Sequence, residues 1–368
     1  MKQGQSFEEL VARVEEDANR RCDLYCPTDE MHLMSDASGS RLATPSGQLK
    51  MRDRAHLHLA ELCGIERRYY QRLRLEAPHL LDRNVNHWLT NNPPKQRIVR
   101  ALNCDEGGEA RAIVSSRYAL LDNDALLRAI EPVIAEQDLT IESCDAGEDK
   151  LTLKMVSPRL KGDVQVGDTV QAGLMIRNSE VRCNAVEINW FVKRLVCSNG
   201  MVVTGPQGRG AFRRHVGRDW NKASQSPTGL SFGPIPDSTL RKQWEQAIWD
   251  ELQNSLRNSL SSGAFTDLLD RLSLTTKLHT TLPLDEVAER VGNRFDLRPG
   301  EITQVIHHLS QDEDVARWGV SLWSVVNATT RTAEDMESYS RATELETLGG
   351  LLANQLSPKE WERLVSPN

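Results

Sequence analysis

The spacing of apolar residues predicts a helix close to the start of the chain. Apolar residues recur at helical intervals from Phe7 to Val14, which predicts an amphipathic helix over roughly residues 7–20. Ser6 and Glu9, three residues apart, form a capping-box pattern at the beginning of this helix. The pattern therefore predicts both the element and its first residue.

Helical spacing returns between Asp53 and Arg74, where Gly64 divides the pattern into two helices. The intervening residues 22–49 contain scattered glycines and prolines and permit one or two short strands. Residues 1–95 are therefore predicted to form an N-terminal helical segment.

Strand-like patterns dominate the next part of the chain. RIVRALN and ARAIVSSRYA, separated by CDEGGE, predict a hairpin with glycine at its turn. A helix is predicted over DNDALLRAIEPVIAEQ, with Asp122 or Asn123 as its N-cap and a kink or break at Pro132. Further strands are predicted at LTIESCD, DKLTLKMVS, TVQAGLMIRNSEV and CNAVEINWFVKRLVC. Residues 96–204 are thus predicted to form a mostly antiparallel β-core with at least one packed helix.

The last third of the chain has helical spacing. Residues 205–236 are rich in glycine and proline and predict a long loop, and residues 237–368 predict an all-helical part. Within that part, residues 314–330 are predicted as one helix. The predicted fold class is α+β, with a mostly antiparallel β-core, packed helices and an all-helical C-terminal part.

Composition narrows the class of protein. Hydrophobic residues make up 39% and charged residues 26% of the 368 residues, which suits a globular protein with a buried core. Apolar runs are too short to span a membrane, and the polar N-terminus does not have the pattern of a signal peptide. The seven cysteines are odd in number and scattered, which predicts reduced thiols rather than a disulfide scaffold. We therefore expect a cytoplasmic location and no membrane partner.

The charge distribution supplies the main functional signal. The chain has a formal net charge of -7, yet the stretch from Arg182 to Lys222 contains eight lysines and arginines and two acidic residues. Such a positive region in an acidic protein favours a polyanionic partner. The candidate phosphate contacts are Lys193, Arg194, Arg209, Arg213, Arg214, Arg218 and Lys222.

Phe212 and Trp220 lie among these cations and are candidates for stacking on bases. Proteins that bind single strands combine cations along the backbone with aromatic stacking platforms. The glycines of the same segment would allow close approach of the backbone to phosphates. The alternative interpretation is a solvated flexible loop whose arginines pair with acidic groups elsewhere in the chain.

Two other features permit both a chemical and a structural interpretation. Cys197 follows Lys193 and Arg194 and could be an activated thiol, with His215 the only histidine nearby in sequence, or a small buried residue before a tight turn. Residues 177–180 could bind a ligand or cap a neighbouring strand, and with Asn189 and Arg194 they could line a groove.

Metal and cofactor sites are not predicted. Cys22 and Cys26 lack a second ligand pair at zinc spacing, and His56 and His58 point to different faces of a helix. A phosphate-binding P-loop pattern is also missing. Paired carboxylates such as Asp122 and Asp124 are most simply turn and cap residues.

Four stretches resemble one protein family. SSRYALLDND, IRNSEV, VKRLVCSNGMV and SLWSVVNATTRTAED are similar to the DUF932 family of phage- and plasmid-like proteins, which includes UPF0380 members of prophages. The resemblance covers most of the chain from about residue 50 to about residue 340, and it carries over no catalytic residues.

This resemblance implies a protein of mobile elements, with single-stranded DNA binding or annealing in recombination as the expected role. No chemical step is predicted, and self-association into a homo-oligomer is expected by analogy with annealing proteins. One alternative is a protein-interaction module that acts on host or plasmid machinery without binding nucleic acid. A hydrolase or nuclease is a third possibility, and it would require a carboxylate cluster that the sequence spacing does not assemble.

Overall fold

A computed structural model describes residues 2, 4–104, 107–197, 199–204, 209–213, 215 and 239–366, with backbone only at 209–213, 239–242 and 244. Twelve strands lie in this part of the chain: β1 (Arg21–Pro27), β2 (His32–Asp36), β3 (Gly39–Thr44), β4 (Gly47–Met51), β5 (Gln96–Leu102), β6 (Glu109–Ser115), β7 (Thr140–Ala146), β8 (Leu151–Gln165), β9 (Asp168–Asn178), β10 (Val186–Arg194), β11 (Gly200–Val203) and β12 (Arg209–Arg213).

Thirteen α-helices lie within the same described ranges: α1 (Phe7–Arg20), α2 (Asp53–Cys63), α3 (Arg67–Glu76), α4 (Pro78–Asn91), α5 (Asn123–Glu136), α6 (Thr239–Ser259), α7 (Ser262–Thr275), α8 (Leu284–Arg294), α9 (Pro299–Ser310), α10 (Glu313–Trp318), α11 (Leu322–Thr332), α12 (Tyr339–Gln355) and α13 (Pro358–Leu364).

The first sheet has the strand order β1-β5-β6-β4-β3-β2. Its neighbouring strands run antiparallel except β4 and β6, which are parallel. One face of this sheet packs against α2, α3 and α4 through a core that includes Leu59, Leu81 and Val99. Burial of such side chains supplies the main driving force for this layer.

The prediction of a helical segment over residues 1–95 is wrong for residues 21–51. These residues form β1–β4, which join β5 and β6 of the predicted β-core in one sheet. The glycines at 39 and 47 adopt φ of 120° and 137° at the hairpin turns, so the glycine-rich pattern marks tight turns. Strand β1 pairs with β5, which is far from it in sequence, and local spacing does not reveal this contact.

Several local predictions are confirmed. The capping box between Ser6 and Glu9 begins α1, and Gly64 ends α2 in the left-handed conformation with φ 68°. Asp122 occupies the N-cap of α5 as predicted, without a side-chain hydrogen bond, but the break predicted as one possibility at Pro132 does not occur, since α5 continues through it. The Asp122 carboxylate instead forms an ion pair with Arg100.

The second sheet has the order β11-β10-β9-β8-β7, and β12 pairs with the first half of β10. Strand β12 lies inside the predicted 205–236 loop, so that prediction is wrong for residues 209–213. These residues form a strand because β10 offers them an unpaired edge beyond β11. Apart from residues 209–213 and 215, the predicted loop lies outside the described residues.

Helices cover both faces of the second sheet. One face packs against α1, α5 and α6 at one end and against the C-terminal helices at the other. Helix α12 lies so close to β11 that a Cβ atom at Gly350 would overlap the carbonyl group of Val202. The predicted helix over 314–330 is divided into α10 and α11 at Gly319, which has φ 79°. The α+β fold class is confirmed.

The prediction that all thiols are reduced is wrong for one pair. Cys22 in β1 and Cys104 after β5 form a disulfide with a Cα–Cα distance of 6.0 Å. The antiparallel pairing of β1 with β5 places Cys22 opposite Ala101, three residues before Cys104, and so brings the two cysteines near each other. The remaining five cysteines are free.

No helix in the described parts of the chain has both the length and the hydrophobicity needed to cross a membrane.

Candidate nucleic-acid interface

The structure places two of the predicted phosphate contacts in ion pairs. Lys193 Nζ lies 2.5 Å from Glu142 Oε2, and Arg194 Nε lies 2.6 Å from Asp168 Oδ1. The second oxygen of Asp168 accepts a hydrogen bond of 2.8 Å from Trp323 Nε1. Lys193 and Arg194 are therefore neutralised by neighbouring carboxylates and join β10 to surrounding elements.

The structure gives less information about the other predicted site residues. Arg209, Phe212 and Arg213 lie on β12, whose backbone pairs with β10, while their side chains lie outside the described atoms. The remaining candidates, Arg214, Arg218, Trp220 and Lys222, lie outside the described residues.

His215, within the basic segment of residues 209–222, packs into the folded protein. It is 7% exposed, and its ring stacks on Tyr118 with 4.9 Å between centroids and 8° between planes. Its ring nitrogens lie 3.1 Å from the Ala119 carbonyl oxygen and 3.0 Å from Asn178 Oδ1. The histidine thus attaches the chain just after β12 to the loop before α5.

A concave surface adjoins His215. A cavity of about 430 Å³ and a neighbouring one of about 120 Å³ share Glu61, Arg97 and Arg182 as wall residues. The larger one also contacts Tyr118 and His215, and the smaller one contacts Lys95. We call this surface the cationic concavity; its defining residues are His58, Glu61, Lys95, Arg97, Tyr118, Arg182 and His215.

Positive charge exceeds negative charge in the cationic concavity. Arg182 Nη2 lies 2.8 Å from Glu61 Oε1, and both side chains are largely exposed. Arg97 has a buried Nε atom with no hydrogen-bond partner among the described residues. Burial and the nearby charge of Arg182 lower the pKa of Arg97. Two guanidinium groups therefore face one carboxylate, and an added anion would stabilise both charges.

A buried ionic network supports the concavity from behind. Arg100, which is 1% exposed, contacts Asp23 at 3.0 Å and Asp122 at 2.6 Å. Arg111 contacts Glu180 at 2.7 Å, and that carboxylate also accepts the backbone N–H of Asn123 at 2.8 Å.

The pKa values of two carboxylates in this network shift in opposite directions. Burial and the charge of Glu180 raise the pKa of Asp122 to about 6, although Arg100 opposes this. Burial would also raise the pKa of Glu180, but Arg100 and Arg111 hold it below its usual value. The structure thus assembles acidic residues that sequence spacing did not, and buried arginines neutralise them.

The resemblance stretches SSRYALLDND and IRNSEV meet in this network. Tyr118 donates to the Ser179 carbonyl oxygen at 3.1 Å, and Asn178 donates to the Leu121 carbonyl oxygen at 2.8 Å. The side chains of residues 178–180 are buried, which favours the structural interpretation of IRNSE over direct ligand contact.

The groove predicted from residues 177–180, Asn189 and Arg194 does not form as one surface. In the pairing of β9 with β10, Arg177 lies opposite Glu187 and Arg194 lies opposite Val170. Seven residues separate Glu187 from Arg194, about 23 Å along a strand. The two arginines therefore belong to opposite ends of the sheet.

The other two resemblance stretches meet at the far end of β10. Arg194 and Trp323 share Asp168, and Asn199 Nδ2 donates to Thr330 Oγ1 at 2.6 Å. Arg194 Nη1 also contacts Cys197 Sγ at 3.4 Å. His215 is bound to Ala119 and Asn178, so the sequence neighbour considered as a base for Cys197 is engaged elsewhere.

Sequence reasoning missed Lys95 and Arg97 as site residues. The signal was present, because they alternate at the start of a strand directly after Pro93 and Pro94, and alternate strand residues share a face. Arg182 belonged to the predicted positive region but was not selected as a phosphate contact. Among the described residues, no group of three or more metal-ligating side chains comes together.

Comparison with known proteins identifies the family. The family model described as Domain of unknown function (DUF932) matches residues 110–348. Because this match covers more than half of the chain, the protein belongs to the DUF932 family. No curated protein and no solved structure matches the chain.

Proposed function

We propose that this member of the DUF932 family binds nucleic acid, with single-stranded DNA as the favoured ligand, and that it does so without a chemical step. One observation carries the proposal: cations from two distant parts of the chain come together at the cationic concavity, beside His215 of the basic segment. They are Lys95 and Arg97 at the start of β5, and Arg182 after β9.

Electrostatics makes a phosphate backbone the best partner for this surface. The chain carries a formal charge of -7, so it repels polyanions in general and attracts them only where cations are concentrated. Arginine binds phosphate through a planar fork of N–H donors, and the Arg97 Nε is unused among the described contacts. Arg97 and Arg182 would hold the backbone while the basic segment covers the strand.

The basic segment keeps its predicted role in this proposal. Arg209, Arg213, Arg214, Arg218 and Lys222 would contact phosphates, and Phe212 and Trp220 would stack on bases. Stacking tolerates any base sequence because every base has a π-face, so the proposed binding has little sequence preference. Lys193 and Arg194 contribute less, since each already has a carboxylate partner.

The biological setting follows from the family resemblance. We propose that the protein acts in the cytoplasm on DNA of mobile elements, in strand annealing during recombination, and that several copies assemble on one strand.

An exposed apolar patch supports the alternative, a protein-interaction module. Val166 and Trp318 line a cavity together with Arg194, and both side chains are largely exposed. Val196, two residues after Arg194 in the chain, is also largely exposed. Gln165 Nε2 donates to Asp314 Oδ2 at 2.9 Å and holds the β8–β9 turn beside α10. Exposed apolar side chains gathered at one end of a protein favour a protein contact there.

The proposal predicts that the double variant Arg97→Gln, Arg182→Gln loses affinity for a fluorescent single-stranded oligonucleotide. Loss of two charge-assisted hydrogen bonds is expected to weaken binding at least about tenfold. Fluorescence anisotropy measures this, with Lys359→Gln, Arg363→Gln as the control for net charge, because both control residues are exposed on α13.

Equal affinity of the double variant and the wild type would contradict the proposed site. If the wild type binds neither single-stranded nor double-stranded DNA at low salt, the protein-interaction alternative is favoured. Cleavage of the oligonucleotide after addition of magnesium would contradict binding without a chemical step.

A further inference from the structure

A second cleft lies at the opposite end of α2 from Glu61. Its volume is about 440 Å³, within the range of small-molecule sites. Four parts of the fold form its walls: the first turn of α2, residues 147–150 between β7 and β8, the end of β9, and the start of α12. We call it the α2 cleft.

Helix α2 begins at this cleft without a side-chain cap. Its N-cap residue is Arg52, which offers no acceptor, and the backbone N–H groups of residues 53–55 have no hydrogen-bond partner among the described residues. Free N–H groups at a helix start, together with the helix dipole, attract an anion. The residues Arg52, Asp53 and Arg54 line the cleft directly.

The walls of the α2 cleft also contain side-chain donors without partners. Arg111 is 4% exposed and Thr343 is 3% exposed, and both line the cleft. Thr343 Oγ1 and the Nε atoms of Arg54, Arg111 and Arg177 have no hydrogen-bond partner among the described residues, although each arginine pairs with a carboxylate through a terminal nitrogen. Unsatisfied buried polar groups are rare in folded proteins, so four around one cleft make it a candidate ligand site.

Five carboxylates and five cations line the cleft, and three of the carboxylates pair with arginines. Asp149 lies 2.7 Å from Arg54 Nη2, and Glu344 lies 2.8 Å from Arg341 Nη1. Asp53 lies 2.7 Å from Arg74, a residue outside the wall. These three carboxylates orient the arginines, and Asp145 and Glu148 are the other acidic wall residues.

Lys150 adds a wall cation whose side chain has no ion-pair or hydrogen-bond partner among the described residues. It lies in the turn between β7 and β8, opposite the start of α2. An ammonium group at the mouth of a cleft can swing onto a bound anion at little cost.

We propose that the α2 cleft binds a phosphate monoester. The α2 N–H groups, the Lys150 ammonium and the Thr343 hydroxyl would contact its oxygens. The Nε atoms of Arg54, Arg111 and Arg177 would add donors, since the terminal nitrogens of these arginines already pair with Asp149, Glu180 and Glu187. Phosphate suits this arrangement because it accepts several charge-assisted hydrogen bonds at once. The inference does not depend on the proposed DNA binding, since Arg97 and Arg182 are outside this cleft.

Isothermal titration with inorganic phosphate, deoxyadenosine monophosphate and deoxyadenosine tests this proposal. Both phosphates are expected to bind, and deoxyadenosine is expected not to bind. The variants Lys150→Gln and Thr343→Val are each expected to weaken phosphate binding by about tenfold, whereas Lys359→Gln on α13 should leave it unchanged. Thermal melting without ligand checks that each variant is folded.

Equal binding of deoxyadenosine and its monophosphate, or unchanged phosphate affinity in both folded variants, would overturn the proposal. A comparison of two oligonucleotides shows whether the bound phosphate belongs to a DNA strand end or to a free ester. If the cleft takes a strand end, a 5′-phosphorylated oligonucleotide binds more tightly than its 5′-hydroxyl counterpart, and Lys150→Gln removes the difference. If it takes a free ester, the two oligonucleotides bind equally while the mononucleotide still titrates.

Discussion

Individual ion pairs decide which cations of this protein are available to a ligand. Lys193 and Arg194 lie in the positive region of the sequence, yet Glu142 and Asp168 neutralise them. Arg97 lies outside that region and has a buried Nε with no partner among the described residues. Availability therefore depends on long-range pairing rather than on the density of charge along the chain.

The most buried ion pair gives a prediction at this scale. Lys154 and Glu346 are fully buried, and Nζ lies 2.5 Å from Oε2, with the Tyr339 ring centroid 4.6 Å from the ammonium. Lys154→Met leaves a buried unpaired carboxylate whose pKa is already raised by burial, so the free energy of unfolding should fall by about 3–5 kcal/mol.

The double variant Lys154→Met, Glu346→Leu should recover most of the stability lost by Lys154→Met, because it buries no unpaired charge. Urea denaturation of both variants and the wild type measures this. If the single and double variants lose the same stability, the pair is not coupled as the structure indicates.

At the scale of elements, helix α2 connects the two proposed sites. Arg54 lies at its start in the α2 cleft, and Glu61 lies two turns later in the cationic concavity, about 10 Å along the axis. Between them, His56 Nδ1 lies 2.8 Å from the Tyr70 hydroxyl, and His58 Nδ1 accepts the N–H of Ile113 at 3.2 Å. The two histidines lock α2 onto α3 and onto the first sheet.

These histidines predict a loss of stability in acid. Burial, helped by nearby arginines, lowers the pKa of His56 and of His58 from 6.5 to about 4. Between pH 6.5 and about pH 4, the unfolded chain therefore binds more protons than the folded chain. Stability is full above the unfolded pKa and falls as the pH drops through this window, by up to about 1.4 kcal/mol per pH unit for each histidine.

Urea denaturation near neutral pH and near pH 5 measures this effect in the wild type and in His58→Asn. Asparagine can still accept the Ile113 N–H but does not titrate, so the variant should lose less stability on acidification. Comparison of the two proteins cancels carboxylates such as Asp122, whose raised pKa acts in the opposite direction. An identical pH dependence would contradict the role given to His58.

Local sequence signals predicted many elements correctly. The capping box at Ser6, the glycine at 64 and the β5–β6 hairpin all depend on residues a few positions apart. The sheet formed by β1–β4 was missed because its place is set by the pairing of β1 with β5 and β4 with β6. Such non-local pairing leaves little trace in local periodicity.

At the scale of the whole molecule, the candidate site is a product of the tertiary fold. The sequence predicted a positive region and a polyanionic partner, and the structure attaches that region at His215. It could not predict that Arg97, from another sheet, lies beside Arg182, nor that Lys193 points to Glu142. The sequence alone shows the positive charge of this region, whereas the carboxylates that pair with its cations are identified only by the fold.

The salt dependence of single-stranded DNA binding tests the central claim most directly. If cations of the concavity and the basic segment contact phosphates, log affinity falls linearly with log salt, by about 0.7 for each phosphate contacted. The account predicts a steep slope for the wild type and a slope shallower by about 1.4 for Arg97→Gln, Arg182→Gln, since two contacts are lost. An affinity independent of salt, or identical slopes for the two proteins, would contradict it.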